Sequence, residues 1–312
     1  MFFPGVPKGF RERYERIVDD WNAFSACLTE PLPKTFRINT LKADARKVME
    51  RLEGYDIRMA PVPWYDLAFT TGSEKIGATL EHFTGRIYIQ EGVSMVPPLL
   101  LRKELEETPE AKILDACAAP GSKTTQLSAM MRNRGLIVAN DARFGRLKIV
   151  KHNAEKLGCM NVAMINKDMR FFTTDMRFDF IMLDAPCSSE GIIRKNWDVL
   201  LTWNEKNIFS ASGVQKQLLA RCYDLLKPGG AIIYSTCTFA PEENEGVIDY
   251  ILGKRDCALE AIRLNGLKTA PPVKEWNGKE FDKEVGKAAR VWPHHNDTGG
   301  FFVAKIRKAG GS

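Results

Sequence analysis

The stretch Lys112-Ile113-Leu114-Asp115-Ala116-Cys117-Ala118-Ala119-Pro120-Gly121-Ser122-Lys123-Thr124 decides the fold. It opens on a short apolar strand ending at Asp115, turns through small residues, and leads into a helix over Lys123–Arg132 with Leu127, Met130 and Met131 on one face. Downstream the same rhythm repeats. Leu136-Ile137-Val138-Ala139 is a second strand, and Phe144, Leu147, Val150, Ala154 and Leu157 mark a helix. Val162–Ile165 and Phe178–Leu183 are further strands, the latter apolar enough to be buried on both faces. A helix over residues 208–226 and a strand at Ala231–Tyr234 come next. Strands alternating with helices predict an α/β fold with a mostly parallel, doubly wound sheet.

Upstream of Lys112 the pattern differs. Phe10, Tyr14, Ile17, Val18, Trp21 and Phe24 recur at helical spacing, which predicts one amphipathic helix over residues 8–26. Thr35–Asn39 reads as a strand and residues 43–53 as a helix, and Pro61, Pro63, Gly72, Gly77 and Gly85 break the next stretch into short strands and turns. Residues 1–105 are therefore expected to form a small α+β domain and residues 106–312 the larger one, with the boundary in the charged run Glu104–Glu110.

Composition sets outer limits. The 312 residues are 44% hydrophobic and 27% charged, which suits a globular chain and excludes collagen-like, coiled-coil and wholly disordered ones. No run of about 18 apolar residues exists, so no membrane-spanning helix is expected. Met1-Phe2-Phe3-Pro4 precedes Lys8 and Arg11, the reverse of a secretory signal, which predicts a cytoplasmic protein. The net charge of +6 permits a polyanionic partner without requiring one. Residues 1–105 hold 15 basic and 14 acidic side chains, so the excess lies downstream. Seven cysteines, none in a Cys-x-x-Cys pair, together with four histidines, predict neither a zinc site nor a disulfide framework.

In a doubly wound sheet the ligand lies beyond the carboxyl ends of the strands. The turn after the first strand has only Gly121, so it fails both the dinucleotide and the phosphate-loop patterns. Asp141 ends the second strand, where a carboxylate can accept ribose hydroxyls, and Asp168 ends the third. Each Asp alone reads as a cap or turn residue. Together with the small-residue turn they predict an adenosine-bearing cofactor, either a methyl donor or a nicotinamide.

The fourth strand runs into Asp184-Ala185-Pro186-Cys187-Ser188-Ser189-Glu190-Gly191, and the fifth into Ser235-Thr236-Cys237-Thr238-Phe239. Neighbouring strands would bring Cys187 and Cys237 to one cleft beside Asp184. Either cysteine alone would read as a small buried hydrophobe. Two thiols have a use in cytosine methylation. Carbon 5 of cytosine is too weak a nucleophile until a thiolate adds to carbon 6, an acid neutralises the charge pushed onto the ring, and a base later removes the carbon 5 proton.

The chain resembles the Sun (Nol/Nop/Sun) family of S-adenosylmethionine-dependent RNA cytosine-5 methyltransferases. The resemblance rests on Asp115–Thr124, Asp184–Ser188, Ser235–Thr238, Arg37-Ile38-Asn39-Thr40, Gln90-Glu91 and Asp297–Phe302, in that family's order, from about Thr35 to Lys305. It implies a class I, Rossmann-like catalytic domain with a seven-stranded sheet, its last two strands a hairpin at Ala258–Leu264 and Gly300–Lys305. Residues 265–299 then read as an insertion, and Pro241-Glu242-Glu243 as a helix start. The resemblance further implies that Cys117, Ala118, Ala119, Pro120, Gly121, Ser122 and Lys123 wrap S-adenosylmethionine, with Asp141 on its ribose, Asp168 near its adenine, and Arg146 and Asp184 also on the cofactor side. Cys237 is then the nucleophile and Cys187 assists product release, with Asp184 as the acid and no metal.

The target base must be flipped out or unpaired to reach a thiol. Residues 1–105 are expected to grip RNA, although Phe36, Trp64, Tyr65 and Phe69 read as core. Transfer RNA is the expected substrate, with ribosomal RNA as the alternative, and the protein is expected to act as a monomer. Two other classes remain weaker readings: a nicotinamide dehydrogenase, which lacks its glycines here, and a non-catalytic RNA-binding or assembly protein on the same fold. Adenine amino-methylation is disfavoured because Asp184-Ala185-Pro186-Cys187 lacks the second Pro and the aromatic ring.

Overall fold

The computed structural model describes residues 3–310; Met1 and Phe2, part of the apolar start of the chain, lie outside the described residues. The larger sheet contains β5 (Lys112–Asp115), β6 (Leu136–Asn140), β7 (Val162–Ile165), β8 (Phe178–Asp184), β9 (Leu226–Thr236), β10 (Cys257–Glu260), β11 (Ala289–Val291) and β12 (Phe301–Lys308). Its order is β10-β12-β9-β8-β5-β6-β7, with β11 paired to β12. Pairs among β5 to β9 are parallel, whereas β12 is antiparallel to β9, β10 and β11. This is the class I, Rossmann-like arrangement, and the last two strands of the seven-strand path form the expected antiparallel pair.

Alternation along each strand feeds two cores. Leu114, Ile181, Leu183, Ile232 and Tyr234 pack against Leu218, Leu219 and Cys222 of α6 (Glu205–Leu225) and Val247, Ile248 and Ile251 of α7 (Glu245–Leu252). Ile113, Phe180, Met182 and Ile233 face the other way, onto Leu127 of α4 (Ser122–Met130) and the Val93–Leu101 segment. Each such Leu, Ile or Phe contributes roughly 1.5–3 kcal/mol by leaving water. Helix α5 (Phe144–Leu157) covers the first turn, because Val150 lies against Gly121.

The smaller sheet, β2-β3-β1-β4, is antiparallel and comprises β1 (Lys34–Ile38), β2 (Ala60–Val62), β3 (Tyr65–Thr71) and β4 (Ile87–Ile89). Helix α3 (Ala45–Glu53) closes one face through Val48 and Leu52. Phe36, Trp64 and Tyr65 are core residues, as their sequence setting suggests, and Phe69 stacks on Phe36.

Two expectations need correction, and a third gains detail. The single helix expected over 8–26 is two, α1 (Lys8–Tyr14) and α2 (Trp21–Thr29). The Asp20 carboxylate accepts the Ala23 N–H at 2.9 Å and starts a new helix there. The apolar spacing was a true face, but both helices turn it onto one aromatic cluster with Phe239 and Trp292. The helix expected from Pro241 starts instead at Glu245, because residues 241–244 form a turn whose polar groups are used elsewhere. The segment 265–299 lies between the paired strands β10 and β12, as an insertion would, and it packs into the fold. It supplies β11, and Trp292 is 2% exposed in the aromatic cluster.

Candidate active site

The carboxyl ends of β5, β6 and β8 open onto a cavity of about 490 Å³. Cys187 and Cys237 both line it, and their sulfurs are 3.4 Å apart. The register explains the meeting: Asp184 pairs with Ser235 across β8 and β9, so the three residues after Asp184 and the two after Ser235 turn into the same space. The Ala185 N–H donates to the Ser235 carbonyl and the Gly191 N–H to the Cys237 carbonyl, both at 2.9 Å, which ties the two loops together by backbone. Gly191 has to be glycine. A Cβ there would lie 2.7 Å from the Gly300 carbonyl carbon.

Asp184 stands beside the thiols, but both of its oxygens are engaged. Oδ2 pairs with the Lys123 ammonium at 2.6 Å, and Oδ1 accepts from the Ser235 hydroxyl at 2.7 Å. Lys123 is therefore buried under the cleft, against the face of Phe301, instead of reaching into the cavity. The Cys187 and Cys237 thiols hydrogen-bond each other. That hydrogen bond, reinforced by burial, raises the Cys187 thiol well above its ordinary value. The same bond draws Cys237 below its own.

The rest of the first turn divides. Cys117 and Ala119 line the cavity, whereas Ala118, Pro120, Gly121 and Ser122 build the turn behind it. The Ala118 N–H donates to the Asn140 carbonyl at 2.7 Å, and Gly121 sits at φ +100°, a left-handed conformation that glycine adopts freely. The Ser122 carbonyl accepts from Arg37 at 3.3 Å. Asp141 and Asp168 both line the cavity. Asp141 accepts the Arg143 N–H, and Arg146 donates to the Ala119 carbonyl at 2.8 Å. Arg170 grips Asp168 with two nitrogens, and that hydrogen bonding lowers the Asp168 carboxyl. A roomier depression of about 610 Å³ is lined by Glu104, Glu260, Lys305 and Arg307, whose charges neutralise one another, and by none of the strand-end residues.

The sequence marks Glu242 and Glu243 only as the start of a helix that helps fix the Cys237 loop, and gives Glu190 and Glu245 no role. Glu190, wholly buried, accepts from Tyr14 of α1 and from Trp203 at 2.6 Å, and from Thr238 at 2.8 Å and the Phe239 N–H at 3.1 Å. Glu245 pairs with buried Arg290 at 2.6 Å, and Arg290 donates to the Phe239 carbonyl. The Asn244 amide donates to the Thr238 carbonyl at 3.0 Å. Glu243 accepts the Ser188 N–H at 3.0 Å, and burial pushes its carboxyl up to about 7. The one available signal was four acidic or amide residues in a row, Glu242 to Glu245, beginning five positions after the strand-end Cys237. Asp19, His294 and His295 also meet, with Nε2 atoms 3.1 and 2.8 Å from the carboxylate; no sequence spacing announces this tie between the α1–α2 turn and residues 293–296.

The family model of 16S rRNA methyltransferase RsmB/F matches residues 102–307, and that of the N-terminal domain of 16S rRNA methyltransferase RsmF matches residues 6–92. The tRNA (cytosine(49)-C(5))-methyltransferase of Pyrococcus abyssi is 41% identical over 98% of this chain and 97% of its own length. Ribosomal RNA small subunit methyltransferase F of Vibrio campbellii is 36% identical over 97% of this chain, which spans only 63% of that protein. The crystal structure of a methyltransferase homolog protein from Pyrococcus horikoshii superposes with a TM-score of 0.86 at 35% identity, over 97% of this chain and 96% of that one.

Proposed function

The chain belongs to the RsmB/F (Sun) family of RNA methyltransferases, and from that premise we propose that it methylates carbon 5 of a cytosine in RNA, through a covalent bond to Cys237. The observation that carries this reading is the 3.4 Å approach of two strand-end thiols at the wall of the cavity, beside Asp184. The cavity fits S-adenosylmethionine by the chemistry of its donors. Carboxylates of Asp141 and Asp168 suit ribose hydroxyls and an adenine amino group, and Cys117 and Ala119 offer close backbone. When bound, S-adenosylmethionine supplies an electrophilic methyl group.

The remaining chemistry falls to this chain. The Cys237 thiolate forms a bond to carbon 6, and the electron pair of the 5,6 double bond moves to carbon 5, making it nucleophilic. As charge builds on the ring, a proton passes to ring nitrogen 3 through Asp184, which Lys123, hydrogen-bonded to it, reprotonates. The acid role expected of Asp184 alone is thus assigned to the Lys123–Asp184 pair. Once carbon 5 carries the methyl group, its proton passes to the Cys187 sulfur as that thiol gives its own proton to Cys237, the 5,6 double bond re-forms, and Cys237 departs. Cys187, at hydrogen-bond distance, donates to that departing sulfur.

Transfer RNA is the proposed substrate, supported by the similarity in length and sequence to the archaeal tRNA enzyme. The test incubates the full chain with tRNA or 16S rRNA transcripts and S-adenosylmethionine, followed by bisulfite sequencing. Cys237→Ala is expected to abolish methylation, and Cys187→Ala to leave an RNA–protein adduct on a denaturing gel. An adduct formed by Cys237→Ala but not by Cys187→Ala would overturn the assignment. Methylation of the rRNA transcript alone would move the substrate.

A further inference from the structure

Two thiols in hydrogen-bond contact need something to set which of them gives up its proton first, and the structure provides it behind Cys187. Glu243 is fully buried, and its Oε2 accepts the Ser188 N–H at 3.0 Å and the Gln215 amide at 2.7 Å. The same Gln215 nitrogen donates to the Pro186 carbonyl at 2.8 Å. Carboxylate and amide together therefore hold the peptides on both sides of Cys187. The Ser188 hydroxyl is 2.7 Å from that of Thr238, the residue after Cys237, so the two thiol loops are joined in front of the same carboxylate. On the other side Cys237 faces Asp184, whose charge works against a thiolate there, with Lys123 paired to it and offsetting that effect. A negative charge next to a thiol favours its protonated form and a positive charge favours the thiolate. Glu190, held by Tyr14 and Trp203, also faces Glu243. Asp141, Arg143, Arg146, Asp168 and Arg170 line the rest of the cavity.

We propose that Glu243 is a positioning residue whose negative charge keeps the proton on Cys187 and so leaves Cys237 to ionise first, as the nucleophile. This rests on the proposed roles of the two sulfurs, but it concerns their state before RNA or methyl donor binds. The ratio of the two singly protonated forms of an isolated thiol pair does not change with pH; it changes only if a third group titrates beside them. Glu243, pushed by burial to about 7, is that group. Above this pH it is charged and the bias toward a Cys237 thiolate is full; below it the bias fades.

The experiment is brief alkylation of the ligand-free full chain with limiting iodoacetamide from pH 6 to 8.5, with mass spectrometry quantifying Cys187 and Cys237 separately. In the wild type the Cys237:Cys187 ratio at pH 8 is expected to exceed about tenfold and to fall as the pH drops through about 7. Glu243→Gln should lower the pH 8 ratio about tenfold and make it flat with pH. Glu243→Asp, which keeps the charge, should stay within about threefold of the wild type. A flat wild-type profile overturns the proposal without any variant having to fold. An unchanged ratio in folded Glu243→Gln, or equal losses in the Gln and Asp variants, also overturns it. A wild type that alkylates as expected yet methylates no cytosine would instead defeat the proposed methylation reaction and leave the proton assignment standing.

Discussion

Tyr14→Phe removes one oxygen atom far along the chain from either thiol, and it should loosen the loop that carries Cys237. The Tyr14 hydroxyl lies 2.6 Å from both oxygens of Glu190. Burial and the neighbouring carboxylate raise the phenol well above its ordinary value, so it stays a donor at any working pH. Without it Glu190 keeps Trp203, Thr238 and the Phe239 N–H. The Phe ring preserves the contacts with Phe10 and Phe239, at 4.6 and 5.8 Å between centroids, so no cavity term enters. What is lost is the hydrogen bond to the buried Glu190 carboxylate, about 1.5–3 kcal/mol, with the longer one that the phenol accepts from Arg13 at 3.3 Å. In a Glu190→Gln background the same substitution removes a bond to a neutral amide, about 1 kcal/mol, so the coupling should be roughly 1 kcal/mol. Urea denaturation of the four proteins of the double-mutant cycle measures it, provided the m-values agree. Additivity to within about 0.3 kcal/mol would refute the idea that α1 braces the Cys237 loop through this carboxylate.

Gly191→Ala tests the loop contact from the other side. Its Cβ would lie 2.7 Å from the Gly300 carbonyl carbon, and relief by backbone movement should cost about 1–3 kcal/mol and slow Cys237 adduct formation; a wild-type denaturation midpoint would contradict it. The pH dependence of stability has a marked contributor in Asp115, whose carboxyl burial raises from 3.8 to about 7. Because the folded chain then holds this proton more tightly than the unfolded one, the stabilisation is complete below pH 3.8 and is lost as pH rises to about 7. The loss is at most about 4 kcal/mol. Asp115→Asn has no proton to lose, so its urea midpoint should gain on the wild type between pH 4 and 7.5; parallel curves would show that the buried carboxyl is not titrating there.

Much of the catalytic framework is legible one strand at a time. Ile113-Leu114, Leu136–Ala139 and Phe178–Leu183 are apolar on both sides because both faces of the sheet are covered, and that leaves an unambiguous trace. Strand-end Asp141, Asp168, Asp184, Cys187 and Cys237 follow from the rule that ligands gather at one edge of such a sheet. The α1–α2 break escaped because an Asp cap acts against an unbroken apolar period. Trp292 escaped because a Pro-, Gly- and Lys-rich neighbourhood hid a core residue.

Residue order and chemistry alone established the α/β class, the strand-end chemistry and the two candidate thiols, since hydrophobic period and turn composition are local properties. The order itself could not say that Lys123 would serve Asp184 instead of lining the cavity, that Tyr14 and Glu190 would meet, or that Glu243 would stand behind one sulfur and not the other. Those are distances between groups up to 176 positions apart in the chain, and they exist only once the strands have paired and the cores have closed.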